Sequence, residues 1–250
     1  MILLTFNIIN HHRKFRKNEL MSDDEILKIT ESNVSSILRI LENHHILASF
    51  FIEISLVDKL KPLIKKIVNK GHEIALFNDH SEISEIETVK RNTEDFIEKI
   101  IRGIRQKDVT ISINNLKNLE FSYISNIENA NILFPLKRLK RSTEIFEENG
   151  LSIIPESISP YSQIPYNDFV FQVVPLKFYQ NMVVETLKNE DFALIYLNSW
   201  QFTDLEKYRF QVPLYRKYNS GRRMENKLED FLQWMNENEF AFSRMKDFVF

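Results

Sequence analysis

The sequence has no cysteine among its 250 residues. That excludes a disulfide framework, a thiolate nucleophile and a cysteine-ligated zinc, and it fits a reducing compartment. Any catalysis must therefore draw on oxygen and nitrogen groups. Neither sign of charge is in excess: 33 Lys and Arg stand against 35 Asp and Glu, a net charge of -2. There is thus no global attraction to nucleic acid or to an anionic membrane, and a nucleic-acid partner is not expected. No stretch reaches the roughly 20 apolar residues that a membrane-spanning helix needs. The opening run MILLTFNIINHHRKFRK carries its basic cluster after a short apolar run, the reverse of a secretory signal, so the expected location is the cytoplasm. Linker-like shifts in composition and internal repeats are missing too. With 43% hydrophobic and 27% charged residues, the chain has the make-up of an ordinary globular protein, and one domain over residues 1–250 is expected.

What is present is an alternation of strand and helix signals. Short β-rich runs fall at Ile2–Ile9, Leu47–Ile54, Glu73–Phe77, Asp108–Ile113, Asn131–Phe134, Leu151–Ile154 and Phe192–Leu197. Between them, Asn33–Asn43 places Val34, Ile37, Leu38 and Leu41 on one helical face. Asp58–Lys70 does the same with Leu60, Leu63, Ile64 and Ile67, and Gly71 stands where a C-capping glycine belongs. Glu82–Arg102 reads as one long helix ending at Gly103, and Glu225–Asn236 as a late amphipathic helix. Residues 156–180 and 207–223 read as long loops, the first rich in proline and aromatics. Continuous apolar strands alternating with helices predict a parallel sheet covered on its outside, either a barrel or a doubly wound sheet. A barrel carries its site at the C-terminal ends of the strands.

Four stretches, in order, are similar to the polysaccharide deacetylases, the NodB-type carbohydrate esterases. LLTFN (Leu3–Asn7) resembles that family's first strand, which ends in acidic residues, and NVSSILRILENHHILASFFIEI its first helix and second strand. VNKGHEIALFNDHS resembles the helix end and the G-H-E-I strand, and IRGIRQ (Ile101–Gln106) the G-Y-R-x-P turn. FSYISNI (Phe121–Ile127) supports the same register. Residues 156–250 resemble the C-terminal extension of the branch associated with exopolysaccharide synthesis, with YLNSWQF (Tyr196–Phe202) where that branch has H-P-W-E. The resemblance implies an irregular (β/α) barrel, usually of seven strands. It also implies hydrolysis of acetyl groups on glycans by a divalent metal, commonly zinc, held by one Asp and two His, with a second Asp as base and a late His as acid.

Carried over residue by residue, that machinery is absent. The base corresponds to Asn7, whose amide cannot take a proton near neutral pH. The adjacent acidic positions correspond to Ile8 and Ile9, and the two ligand histidines to Phe77 and Ser81. The acid corresponds to Asn198 and its neighbouring Glu to Gln201. Arg105 matches the family arginine, but the proline after it is Lys107. The resemblance thus assigns no catalytic residue. Asn7, Phe77 and Ser81 are expected to fill a vacated mouth, and Asn7, Phe77, Arg105, Trp200 and Gln201 to form a retained binding pocket. His72 is expected to pack in the core, and His44 and His45 to lie on the surface at the far end. An alternative keeps the enzyme active through a displaced zinc site built from Asp79, His80 and His11, with His12 nearby. Tyr161, Tyr166, Phe169, Phe171, Phe178, Tyr179, Trp200 and Phe202 are read as core or as a glycan-stacking surface, and Lys137, Arg138, Lys140 and Arg141 as a solvated helix face. The function expected is binding or regulation in polysaccharide metabolism, with a glycan or a polysaccharide-assembly enzyme as partner; the alternatives are a remodelled N-deacetylase and a structural subunit.

Overall fold

Strand β1 (Ile2–Ile8) shows how the architecture follows from alternation. Ile2, Leu4, Phe6 and Ile8 pack into one apolar cluster with the helices, whereas Leu3 belongs to a second cluster on the opposite face. A strand buried on both faces is the mark of a parallel sheet covered by helices on one side and rolled round its own side chains on the other. This computed structural model describes residues 1–10, 22–106, 111–125, 144–208 and 214–249.

Along the chain come α1 (Asp23–Asn43), β2 (Ser49–Glu53), α2 (Ile54–Val57), α3 (Lys61–Asn69), β3 (Glu73–Asn78), α4 (Ile83–Ile97), β4 (Gly103–Gln106), α5 (Ile113–Asn118) and β5 (Tyr123–Ile124). Then follow β6 (Phe146–Glu148), β7 (Leu151–Ile153), α6 (Asp168–Val173), α7 (Leu176–Asn189), β8 (Ala193–Asn198), α8 (Leu214–Lys217), α9 (Arg222–Glu237), β9 (Phe242–Ser243) and α10 (Met245–Val249). The sheet runs β6-β7-β5-β4-β3-β2-β1-β8, with β9 beside the start of β1. Seven strands on that path are parallel; β6 alone pairs antiparallel, with β7. No ladder joins β7 to β8. Residues 154–166 run between them instead, where Leu194 N–H donates to Ser157 Oγ at 2.8 Å and Tyr196 N–H to the Tyr166 carbonyl at 3.2 Å. This is the irregular (β/α) barrel anticipated.

Several boundaries differ from expectation. Helix α1 begins ten residues before the periodic stretch, because Ser22 and Glu25 form a reciprocal capping box. The helix expected over 58–70 is divided: Asp58–Leu60 is a 3₁₀ turn and α3 restarts at Lys61, with Pro62 in its first turn, where the missing N–H costs nothing. Gly71 does cap α3, with φ of +87°. Helix α4 stops at Ile97 rather than at 102, because Glu98 turns left-handed (φ 53°) and the Glu94 carboxylate takes the Ile101 N–H at 2.7 Å. Of the strand expected over 108–113, residues 108–110 lie outside the described residues, and Ile111 and Ser112 are a bend and the cap of α5; β4 lies before them. Residues 131–134 lie outside the described residues. The loop expected over 156–180 contains α6, capped by the Asn167 side chain, and the start of α7.

The lumen of the barrel is layered. At its lower end, Glu73 accepts from Ser49 Oγ, from Tyr123 Oη at 2.9 Å and from the Lys246 N–H at 3.1 Å, while Met245 N–H donates to Ser49 Oγ at 2.9 Å. Two strands thereby satisfy the first amides of α10, which closes that end. Burial pushes the Glu73 carboxyl above its usual range, against the opposing pull of those hydrogen bonds. Tyr123 reaches Glu73 by crossing Gly103: a Cβ there would stand 2.0 Å from the phenol ring. Gly103→Ala should therefore expel Tyr123 from its bond and destabilise the fold by about 3 kcal/mol or more, as other overpacked cores do, read as a lowered denaturant midpoint.

His72 is buried, as expected. Its Nδ1 accepts the Ala48 N–H at 3.2 Å, which requires an unprotonated nitrogen, and its ring meets Phe50 edge-on. Burial, helped by Lys70 and Arg244, drives its pKa down from 6.5 to about 4. The unfolded chain thus binds a proton first as pH falls. The stability His72 lends is complete above pH 6.5 and is lost as pH drops through 4. The difference between wild type and His72→Gln in denaturant unfolding should shift by roughly 3 kcal/mol across that window.

Candidate functional site

Arg105 stands in the middle of the lumen with no exposed surface. Strand alternation points it inward from β4, between Gly103 below and the mouth above. Its Nε and Nη2 donate to Ser125 Oγ at 3.2 and 2.9 Å, and its Nη1 donates to Thr5 Oγ1 at 3.1 Å and to Asn7 Oδ1 at 2.7 Å. The guanidinium plane rests 3.8 Å from the Phe51 ring centre, with Tyr196 at 5.6 Å. Burial lowers its pKa to about 10, with Tyr123, Tyr196 and Glu156 pulling the other way, so it is a cation at every physiological pH. A buried cation is tolerated only where donors and charge are both answered.

From Arg105 a line of hydrogen bonds climbs to the mouth. Asn7 Nδ2 donates to Asn198 Oδ1 at 3.1 Å, and Asn198 Nδ2 donates to Asp168 Oδ2 at 2.7 Å. Asp168, at the start of α6, is met from outside by Arg216 at 3.5 Å. Burial pushes the Asp168 carboxyl up, while Arg216 and Asn198 pull it down. Asn198 also caps the 3₁₀ turn Ser199–Phe202, and its N–H donates to Gln201 Oε1 at 2.9 Å. Gln201 in turn reaches the Asp168 carbonyl and Gln172 Oε1, and Gln172 holds the carbonyls of Arg216 and Tyr218. Arg216 lies over Trp200 at 5.4 Å and Phe169 at 5.8 Å.

The five residues expected to form a pocket do gather at this end, but as filling. Asn7, Phe77, Arg105, Trp200 and Gln201 are exposed by 1, 3, 0, 0 and 0%. Phe77 and Trp200 share one apolar cluster with Ile9 and Phe51. Ser81 N–H closes a turn on Asn78 Oδ1 at 2.7 Å. Of the aromatics read from sequence, Tyr166, Phe171, Tyr179, Trp200 and Phe202 are core, while Tyr161 and Phe178 are exposed. Asp79 and His80 sit at the top of β3, 3.8 Å apart, with the His80 side chain 70% exposed. His11 and His12, Lys107 and the basic residues 137–141 lie outside the described residues. Asp168, Thr5, Ser125 and Gln172 carried no signal in the sequence, because what matters is the place each takes in the lumen or at its rim.

These residues do not fit the divalent cation that the barrel type implies. Ile8, Ile9 and Phe77 have no donor atom, and the Asn7 oxygen is committed to a guanidinium at 2.7 Å. Among the described residues no three His, Asp or Glu side chains converge.

No protein-family model matches the chain, and no curated protein matches it. Solved structures do share the fold. A protein from Pseudomonas aeruginosa PAO1 assigned as a probable polysaccharide deacetylase superposes with a TM-score of 0.65 at 12% identity, over 99% of this chain and 89% of its own. Puue allantoinase superposes with a TM-score of 0.60 at 12% identity, over 99% and 88%. A CE4-family pseudoenzyme from Bacillus anthracis does so with a TM-score of 0.55 at 10% identity; this chain is covered completely but spans only 65% of that protein. The chain therefore has the fold of the polysaccharide deacetylases.

Because Arg105 satisfies three oxygens at once, Arg105→Lys should lower stability by about 2–4 kcal/mol even though the charge is kept: an ammonium cannot reach Ser125, Thr5 and Asn7 together. Urea unfolding followed by circular dichroism measures it.

Proposed function

We propose that this chain is a deacetylase-fold protein that has given up hydrolysis and acts by binding in polysaccharide metabolism, in the cytoplasm, with a glycan or a polysaccharide-assembly enzyme as partner. One observation carries the reading: the carboxamide of Asn7 is held between Arg105 and Asn198, at 2.7 and 3.1 Å, where hydrolysis would need a proton-accepting base and an anionic ligand. An amide supplies neither. Phe77 fills the neighbouring space with carbon. The likeness to a CE4-family pseudoenzyme supports the reading, since that barrel too exists without its chemistry. No described helix is long and apolar enough to cross a membrane.

The proposed binding residues act from beneath. Asn7, Phe77, Arg105, Trp200 and Gln201 are buried, so they set the shape of the mouth, and a ligand meets the half-buried groups they hold, Arg216 and Phe169 foremost. A guanidinium lying over aromatic rings offers both donors and a flat face to a sugar.

Purified protein supplied with zinc should release no acetate from N-acetylated chitooligosaccharides or an aryl acetate above the buffer rate. Losing general acid and base together costs about 10⁴–10⁸-fold before any metal contribution is counted. Turnover abolished by EDTA and by Asp79→Asn or His80→Ala would establish the displaced metal site instead. Saturable glycan binding that is weakened by Arg216→Ala, with no turnover, is the expected result.

A further inference from the structure

We propose that Asp168 is a counter-ion of the barrel's buried cation: Arg105 and Asp168 form an ion pair split across the carboxamides of Asn7 and Asn198. Arg105 has no exposed surface, and its direct partners Thr5, Asn7 and Ser125 are all neutral. Guanidinium only donates and an ionised carboxylate only accepts, whereas an amide has one end of each kind. Two amides strung between such groups have one consistent arrangement. Asn7 must turn its oxygen to Arg105 and its nitrogen to Asn198, and Asn198 must turn its oxygen to Asn7 and its nitrogen to Asp168. Those are the contacts observed, at 2.7, 3.1 and 2.7 Å. Each amide dipole is aligned favourably with both charges, so the chain transmits the attraction that distance would otherwise dilute. Glu156, buried beside Tyr196, is a second carboxylate whose charge acts on Arg105, so Asp168 shares the role of counter-ion with it. At the far end Arg216 faces Asp168, so the same chain ties α8 to the barrel centre.

The arrangement requires one negative charge on the path through positions 7, 198 and 168, and it does not prescribe which position holds it. With two charges, as in Asn7→Asp or Asn198→Asp, either an amide oxygen must face a carboxylate or two carboxylates must abut. With none, as in Asp168→Asn, the amide chain ends on no anion and Arg216 loses its contact with the Asp168 carboxylate, while Glu156 still acts on Arg105. Moving the charge is a different matter. In Asn198→Asp/Asp168→Asn, Asn7 keeps its orientation, the new amide at 168 donates to the new carboxylate, and that carboxylate still caps the 3₁₀ turn. In Asn7→Asp/Asp168→Asn, Asn198 must turn over and the whole chain reverses polarity, at the cost of the Gln201 N–H that the Asn198 oxygen accepts as cap of the 3₁₀ turn.

The test is a pair of double-mutant cycles in guanidinium chloride at pH 7. The three single variants should each lower the unfolding midpoint. Asn198→Asp/Asp168→Asn should recover most of the loss, and Asn7→Asp/Asp168→Asn should be more stable than either parent. Losses that simply add in both cycles would overturn the proposal. Should the singles fail to fold, a soluble double variant with wild-type far-ultraviolet circular dichroism supports it, and double variants that also fail overturn it.

Discussion

A guanidinium without any contact with water sits at the centre of this barrel, and much of the lumen is arranged around it. Burying such a charge is costly unless each N–H finds an oxygen and the field is answered nearby. The oxygens come from two strands, Thr5 and Asn7 on β1 and Ser125 just after β5, round Arg105 on β4. Supplying them fixes the register of strands that are not neighbours in sequence. Phe51 from β2 gives the flat face on which the cation rests. A one-residue slip of any of these strands would turn the partner outward to the helices and leave the charge unanswered.

The same constraint shows how this fold is held together when the positions matched to the family's base and ligands carry other residues. A metal site at the mouth would need anionic and nitrogen donors. Here the corresponding positions carry an amide that answers Arg105, a phenylalanine and isoleucines that pack, and a second amide that answers the first. The carboxylate at the end of this chain belongs to Asp168, on a helix rather than a strand end. The lower end shows the parallel solution, with Glu73 buried among Ser49, Tyr123 and the amides of α10. The lumen is a stack of satisfied polar layers divided by aromatic ones, and its stability does not depend on keeping the mouth reactive.

The continuous apolar runs of β1, β2, β3 and β8 were legible in the sequence because each of these strands is buried on both faces. That Asn7, Phe77 and Asn198 differ in kind from the base, ligand and acid of the family was legible too, because it rests on residue type alone. Helix α7, Leu176–Asn189, starts inside the proline- and aromatic-rich stretch 156–180 that reads as loop, and it packs its apolar side against the sheet and α9. The β6–β7 hairpin was overlooked although Asn149 and Gly150 announce it, both with positive φ, as a two-residue turn requires.

Composition and local pattern thus determined the class of fold and which residue types stand at the positions matched to the family's base, acid and ligands, because these depend on residue type and short-range spacing. Tertiary structure alone decided that Asn7, Phe77, Arg105, Trp200 and Gln201 are buried and that Asp168 sits at the end of a chain beginning at Arg105. It also decided that Gly103 is needed for a tyrosine to pass. Each of those depends on side chains from distant strands meeting inside one lumen, and the distance between them along the chain, 98 residues from Asn7 to Arg105 and 191 from Asn7 to Asn198, leaves no local trace.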